Sequence, residues 1–112
     1  MRAETLKGHL DGMLLAALET GPRHGYAIME ALRAGSGGQF DLPTGTIYPA
    51  LRRLERAGLI QGTWSAAGGR RRRVYELTPP GHRTLAAARG GWREFSAAVT
   101  ALLEPAARPA TS

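Results

Sequence analysis

The chain has 112 residues, a formal net charge of +6 and a sequence pI of about 11.0. That fits one domain with a small core and a polyanionic partner, nucleic acid ahead of an anionic membrane surface. It has no cysteine, which excludes a disulfide framework and a thiolate metal site and suits a reducing, cytoplasmic setting; no apolar run approaches the roughly 20 residues that span a bilayer.

Residues 1–7 read as a loose arm without the apolar segment of a signal peptide. From Gly8 onward, Leu10, Met13, Leu14, Ala17 and Leu18 recur at helical spacing and predict a first helix, stopped by Gly21-Pro22. His24-Gly25 leads into a second helix. Ile28 and Leu32 face inward, with Tyr26 and Met29 as further inward candidates, and Gly35 to Gly38 break it. The stretch Leu42 to Ile60 carries the third helix. At 100° per residue, Ile47, Leu51 and Leu54 share one side, with Ala50 and Ala57 at its edge. Pro49, Arg52 and Arg56 lie opposite, flanked by Thr46 and Arg53. Thr44 or Thr46 suits the helix start, and Gly58 suits the left-handed residue that ends it.

A strand follows from Ile60 to Trp64, with Ile60, Gly62 and Trp64 on one face. Ser65 to Gly69 is the turn, and Arg71 to Leu77 is the return strand with Tyr75 and Leu77 facing inward. Four consecutive arginines, Arg70 to Arg73, sit at this hairpin's tip. Thr78 is a good N-cap for a last helix and Pro79 suits its first position. Along that helix Leu85, Trp92 and Val99 are spaced by sevens, as are Ala88, Phe95 and Leu102. Such a two-position seam is the pattern of a helix pairing with another helix. Gly90-Gly91 weaken it in the middle, which makes burial against a partner more necessary. Pro105 ends it. The domain plan is therefore an arm (1–7), a helical unit with a hairpin (8–78), a pairing helix (79–104) and a frayed tail (105–112). The fold class is mainly α with a small β-hairpin. His9, His24 and His82 lack any paired ligand spacing and read as structural or surface residues. No catalytic constellation, cofactor motif or metal site stands out.

Helix, helix, helix, hairpin, long helix is filled by His24-Gly25-Tyr26, Gly45-Thr46-Ile47-Tyr48-Pro49-Ala50-Leu51-Arg52-Arg53-Leu54, Gly58-Leu59-Ile60, Gly69-Arg70-Arg71-Arg72-Arg73-Val74-Tyr75 and Leu77-Thr78-Pro79-Pro80-Gly81. Over residues 6 to 103 this resembles the PadR family of transcriptional regulators, in its smaller, single-C-terminal-helix form. Pro80 departs from the family's usual non-proline at that position. The resemblance implies a winged helix-turn-helix that dimerises through its last helix and acts usually as a repressor at a palindromic operator.

On that footing the third helix is the recognition helix in the major groove. Thr44, Thr46, Tyr48, Pro49, Arg52 and Arg53 are its candidate DNA contacts, arginine being the side chain matched to guanine O6 and N7. Arg70, Arg71, Arg72 and Arg73 are candidates to follow the phosphate backbone or enter a minor groove from the wing. Tyr26, Lys7 and Arg2 are further phosphate candidates. Leu85, Ala88, Trp92, Phe95, Val99 and Leu102 are the expected dimer seam. The resemblance also implies an effector site at Trp92 and Phe95, where a small flat aromatic molecule would stack between subunits. Two alternatives use the same residues differently: a winged helix that binds protein with its basic face idle, and a ligand-binding protein that does not bind DNA.

Overall fold

The computed structural model describes residues 8–105. The expected arm, with Lys7 and Arg2, and the tail beyond Pro105 lie outside the described residues. Among the described residues, four α-helices pack with a small antiparallel sheet. Helix α1 is Leu10–Ala17, strand β1 Arg23–His24, helix α2 Gly25–Gly35 and helix α3 Thr44–Arg56; then come strand β2 Ile60–Ser65, strand β3 Arg72–Leu77 and helix α4 Pro79–Leu103. The sheet has three strands in the order β1-β3-β2. Strand β1 was not expected. It pairs Arg23 with Tyr75 and His24 with Val74, and so fastens the entry of α2 to the root of the hairpin. In β2 and β3, Ile60 opposes Leu77, Gly62 opposes Tyr75 and Trp64 opposes Arg73.

One apolar core joins Leu14, Leu15 and Leu18 of α1, Ile28 and Leu32 of α2, and Ile47, Ala50, Leu51 and Leu54 of α3 with Ile60, Tyr75 and Leu85. The helical periodicity thus reports the buried sides, with two corrections. Leu15 is fully buried although it lies outside the first helix's expected stripe, and Tyr26 is 66% exposed rather than inward. Burial of the Tyr75 ring pushes its hydroxyl's pKa up.

The ends of the helices follow their capping chemistry. His24 Nδ1 accepts the Ala27 amide at the start of α2, and Thr78 Oγ1 accepts the Gly81 amide at 3.1 Å at the start of α4. Neither Thr44 nor Thr46 caps α3: Pro43 occupies that position and no side chain caps it. At its other end, Gly58 has φ +76. The Leu59 amide donates to the Leu54 carbonyl at 3.0 Å and the Gly58 amide donates to that of Glu55 at 3.0 Å, the paired bonds of a Schellman motif. This sharp exit turns the chain from the α3 axis directly into β2, so helix and hairpin sit side by side.

Candidate nucleic-acid interface

Burying Ile47, Ala50, Leu51 and Leu54 points the opposite side of α3 at solvent. Thr44, Pro49, Arg52, Arg53 and Arg56 are exposed, and Thr46 and Tyr48 half-buried. Pro49 lies inside the helix; it has no amide hydrogen, so the Gly45 carbonyl one turn earlier has no helical donor. Tyr48 is only partly available. Its ring packs beside α2, with a Cβ built on Gly25 falling 2.3 Å from the Tyr48 hydroxyl. Glycine at position 25 is what lets α3 lie this close to α2.

The arginines of α3 differ in their partners. Arg53 Nη2 donates to Asp11 Oδ1 of α1, although both side chains remain about half-exposed. Arg52 and Arg56 have no carboxylate partner among the described residues.

The wing arginines do not act as one charged tip. Strand alternation splits them, and each has its own surroundings. Arg73 is the most engaged of the four: its guanidinium lies across Gly62 and pairs with Glu55 of α3 at 2.5 Å, leaving its side chain 32% exposed. Glu55 already holds that charge, so Arg73 joins wing to helix. Arg72 reaches across the other sheet face, with Nη1 2.9 Å from His24 Nε2. A neutral imidazole has one acceptor nitrogen, so His24 satisfies either Arg72 or the α2 cap at a given moment. Withdrawing Arg72 from His24 therefore leaves the cap intact. Arg71 lies over the Trp64 ring, and Arg70 is exposed beyond the glycine turn, where Gly68 and Gly69 have φ of +77 and +78. Pairing of the arginines was not legible from spacing, because Asp11 and Glu55 lie 42 and 18 residues from their partners.

The last helix divides into two parts. Its early turns lie on α1: a Cβ at Gly12 would stand 3.2 Å from the Ala88 Cβ, and Arg89 forms a two-pronged ion pair with Glu19 at 2.6 and 2.7 Å. That bond holds the Glu19 carboxyl below the usual glutamate range. Leu85, expected on the seam between subunits, is 2% exposed within its own chain's core. Further along, Trp92 is 53% exposed, Phe95 57%, Leu102 83% and Leu103 76%, while Val99 is half-buried. His9, read from sequence as a structural or surface residue, joins Trp92 and Phe95. Its ring lies edge-on to Trp92 with centroids 5.3 Å apart, and 6.3 Å from Phe95.

A family model described as the transcriptional regulator PadR-like family matches residues 14–87, from α1 into α4. The chain belongs to the PadR-like family. Members are DNA-binding transcriptional regulators, not enzymes, and are typically dimeric. Among solved structures, this PadR-like chain superposes on a PadR family regulator from Clostridium difficile with a TM-score of 0.77 and 32% identity, covering 86% of this chain and 99% of that one. A PadR-like regulator from Bacillus cereus gives a TM-score of 0.80 and 30% identity, covering 91% and 98%. Transcriptional regulator Rv3488 of Mycobacterium tuberculosis is 35% identical over 74 residues, 66% of this chain and 56% of that protein. Among the described residues, no helix of the PadR-like chain is long and apolar enough to cross a membrane.

Proposed function

We propose that this PadR-like regulator is a homodimeric repressor of an inverted-repeat operator. Its major-groove contacts are Arg52 with Thr44, Thr46, Pro49 and Arg53, and its phosphate contacts are Arg70, Arg71 and Arg72 with Tyr26. The observation that carries the reading is the exposure of Arg52 and Arg56, which have no carboxylate partner among the described residues, on a helix whose other side is buried, beside a wing tied to that helix through Glu55 and Arg73. Two such helices in a symmetric dimer would stand about 34 Å apart, one turn of DNA. Trp92, Phe95 and Leu102 with Leu103 supply the apolar surface for pairing. The His9–Trp92–Phe95 cluster favours a second element of the reading: a flat aromatic effector stacks there and favours one subunit arrangement over the other.

A gel shift on a duplex from the protein's own upstream region, repeated over a salt series, tests this. A specific complex that weakens steeply with salt is expected. Arg52→Ala should relax sequence preference, at about 1–3 kcal/mol for a lost bidentate base contact. Absence of a specific complex, with retention of a protein partner instead, would move the assignment to a protein-interaction module. Quenching of Trp92 by planar aromatics in a Trp64→Phe background, without any DNA complex, would leave only a ligand-binding protein.

A further inference from the structure

Trp64 is 57% exposed on the hairpin, in a chain with only two tryptophans. The register explains what it touches. Ile60 with Leu77 and Gly62 with Tyr75 are successive rungs of one sheet face, and Trp64 with Arg73 is the next. Alternation places Arg71 at the far end of the same face. The Arg73 guanidinium carbon lies 5.5 Å from the Trp64 ring centroid and that of Arg71 lies 4.6 Å from it, both within cation–π range. Arg73 is fixed at its other end by Glu55, and only the missing side chain at Gly62 lets it lie flat across the strand. The result is a ladder, Glu55–Arg73–Trp64–Arg71, running from the recognition helix to the wing tip. Its inner rung is neutralised by a carboxylate. Its outer rung, Arg71, has no carboxylate partner among the described residues, and the indole face alone restrains it.

We propose that Trp64 is a positioning residue for DNA binding: its ring holds the Arg71 guanidinium in a fixed direction, set by the recognition helix through Arg73 and Glu55, so that it meets a backbone phosphate already oriented. This rests on the reading of Arg71 as a DNA contact. A long arginine side chain otherwise loses rotamer freedom on binding, and the stack removes part of that loss beforehand. The indole is sequence-blind, so the effect applies equally to any duplex.

The test is a double-mutant cycle on the full chain, read as affinity and salt slope on an operator duplex and a scrambled duplex. Arg71→Ala should lower the slope of log K against log salt by about 0.9, one phosphate contact. Trp64→Ala should weaken both duplexes alike by about two- to fivefold, the size of an exposed cation–π contact. The double variant should bind no worse than Arg71→Ala. Trp64→Phe should recover much of the loss, whereas Trp64→Leu, which keeps bulk without a π face, should not. Thermal melts confirm that each variant is folded. In a Trp92→Phe background, Arg71→Ala should also shift Trp64 emission in the free protein. If Arg71→Ala leaves affinity and slope unchanged, the wing reading itself fails and takes the positioning role with it. If Arg71→Ala weakens binding but Trp64→Leu matches wild type, or the two losses multiply, the positioning role alone is overturned.

Discussion

The two halves of α4 share one heptad pattern and have opposite surroundings. Up to about Arg89 the helix is part of its own subunit: Gly81 and Leu85 are buried, Ala88 meets Gly12, and Arg89 grips Glu19. From Trp92 onward its large apolar residues face solvent, apart from the shared contact with His9. A spacing of seven shows that a helix side will be covered; it does not say by which chain. Here α1, eight residues long, lies against the near half.

That contrast can be broken most forcefully at Leu85. Leu85→Ala removes a core side chain and should cost about 2–5 kcal/mol, seen as a melting temperature lowered equally at every protein concentration. Leu102→Asp is the matching change in the far half. It should leave the isolated subunit folded but weaken pairing by about 1.5–3 kcal/mol per subunit, the worth of a buried leucine in each, with a melting temperature that becomes strongly concentration-dependent and a shift toward monomer in sedimentation. Gly91→Ala sharpens the boundary. Outside its own helix backbone, no atom of the described residues lies within 4 Å of a Cβ there, so helix propensity predicts a gain of about 0.5–1 kcal/mol; a loss instead would place a partner's backbone against Gly91.

The smallest effect concerns the Glu19–Arg89 clasp. Arg89's hydrogen bond lowers the Glu19 pKa in the folded state, so its contribution is present above the ordinary glutamate range. It fades as pH falls through the lowered folded value. Both side chains are over 40% exposed, so Glu19→Gln should change neutral-pH stability little and flatten slightly the acid limb of a stability–pH profile measured by urea denaturation.

What was readable in advance was whatever repeats locally. Ile47, Leu51 and Leu54 marked the inner side of α3, Gly58 its end, Thr78 the start of α4, and Ile60, Gly62 and Trp64 one face of the hairpin. Strand β1 escaped because two residues cannot show an alternation. The engagement of Arg53 and Arg73 escaped because an ion pair between distant segments leaves no trace in spacing. His9 escaped for the same reason: its aromatic neighbours lie more than eighty residues away along the chain. Leu85 was placed correctly on an apolar side and assigned the wrong neighbour.

The junction between α3 and α4 has a mechanical consequence. A Cβ at Gly81 would stand 1.9 Å from the Leu59 carbonyl oxygen, while Thr78 donates its hydroxyl to the Gly58 carbonyl at 2.6 Å and its amide to that of Leu59 at 3.2 Å. The foot of the long helix is thus riveted to the exit turn of α3, with no slack for a swivel. A dimer built from such parts behaves like a pair of callipers whose jaws are rigid with their arms. In the dimer proposed above, a change in the separation of the two α3 helices would therefore arise along α4 and not at this joint.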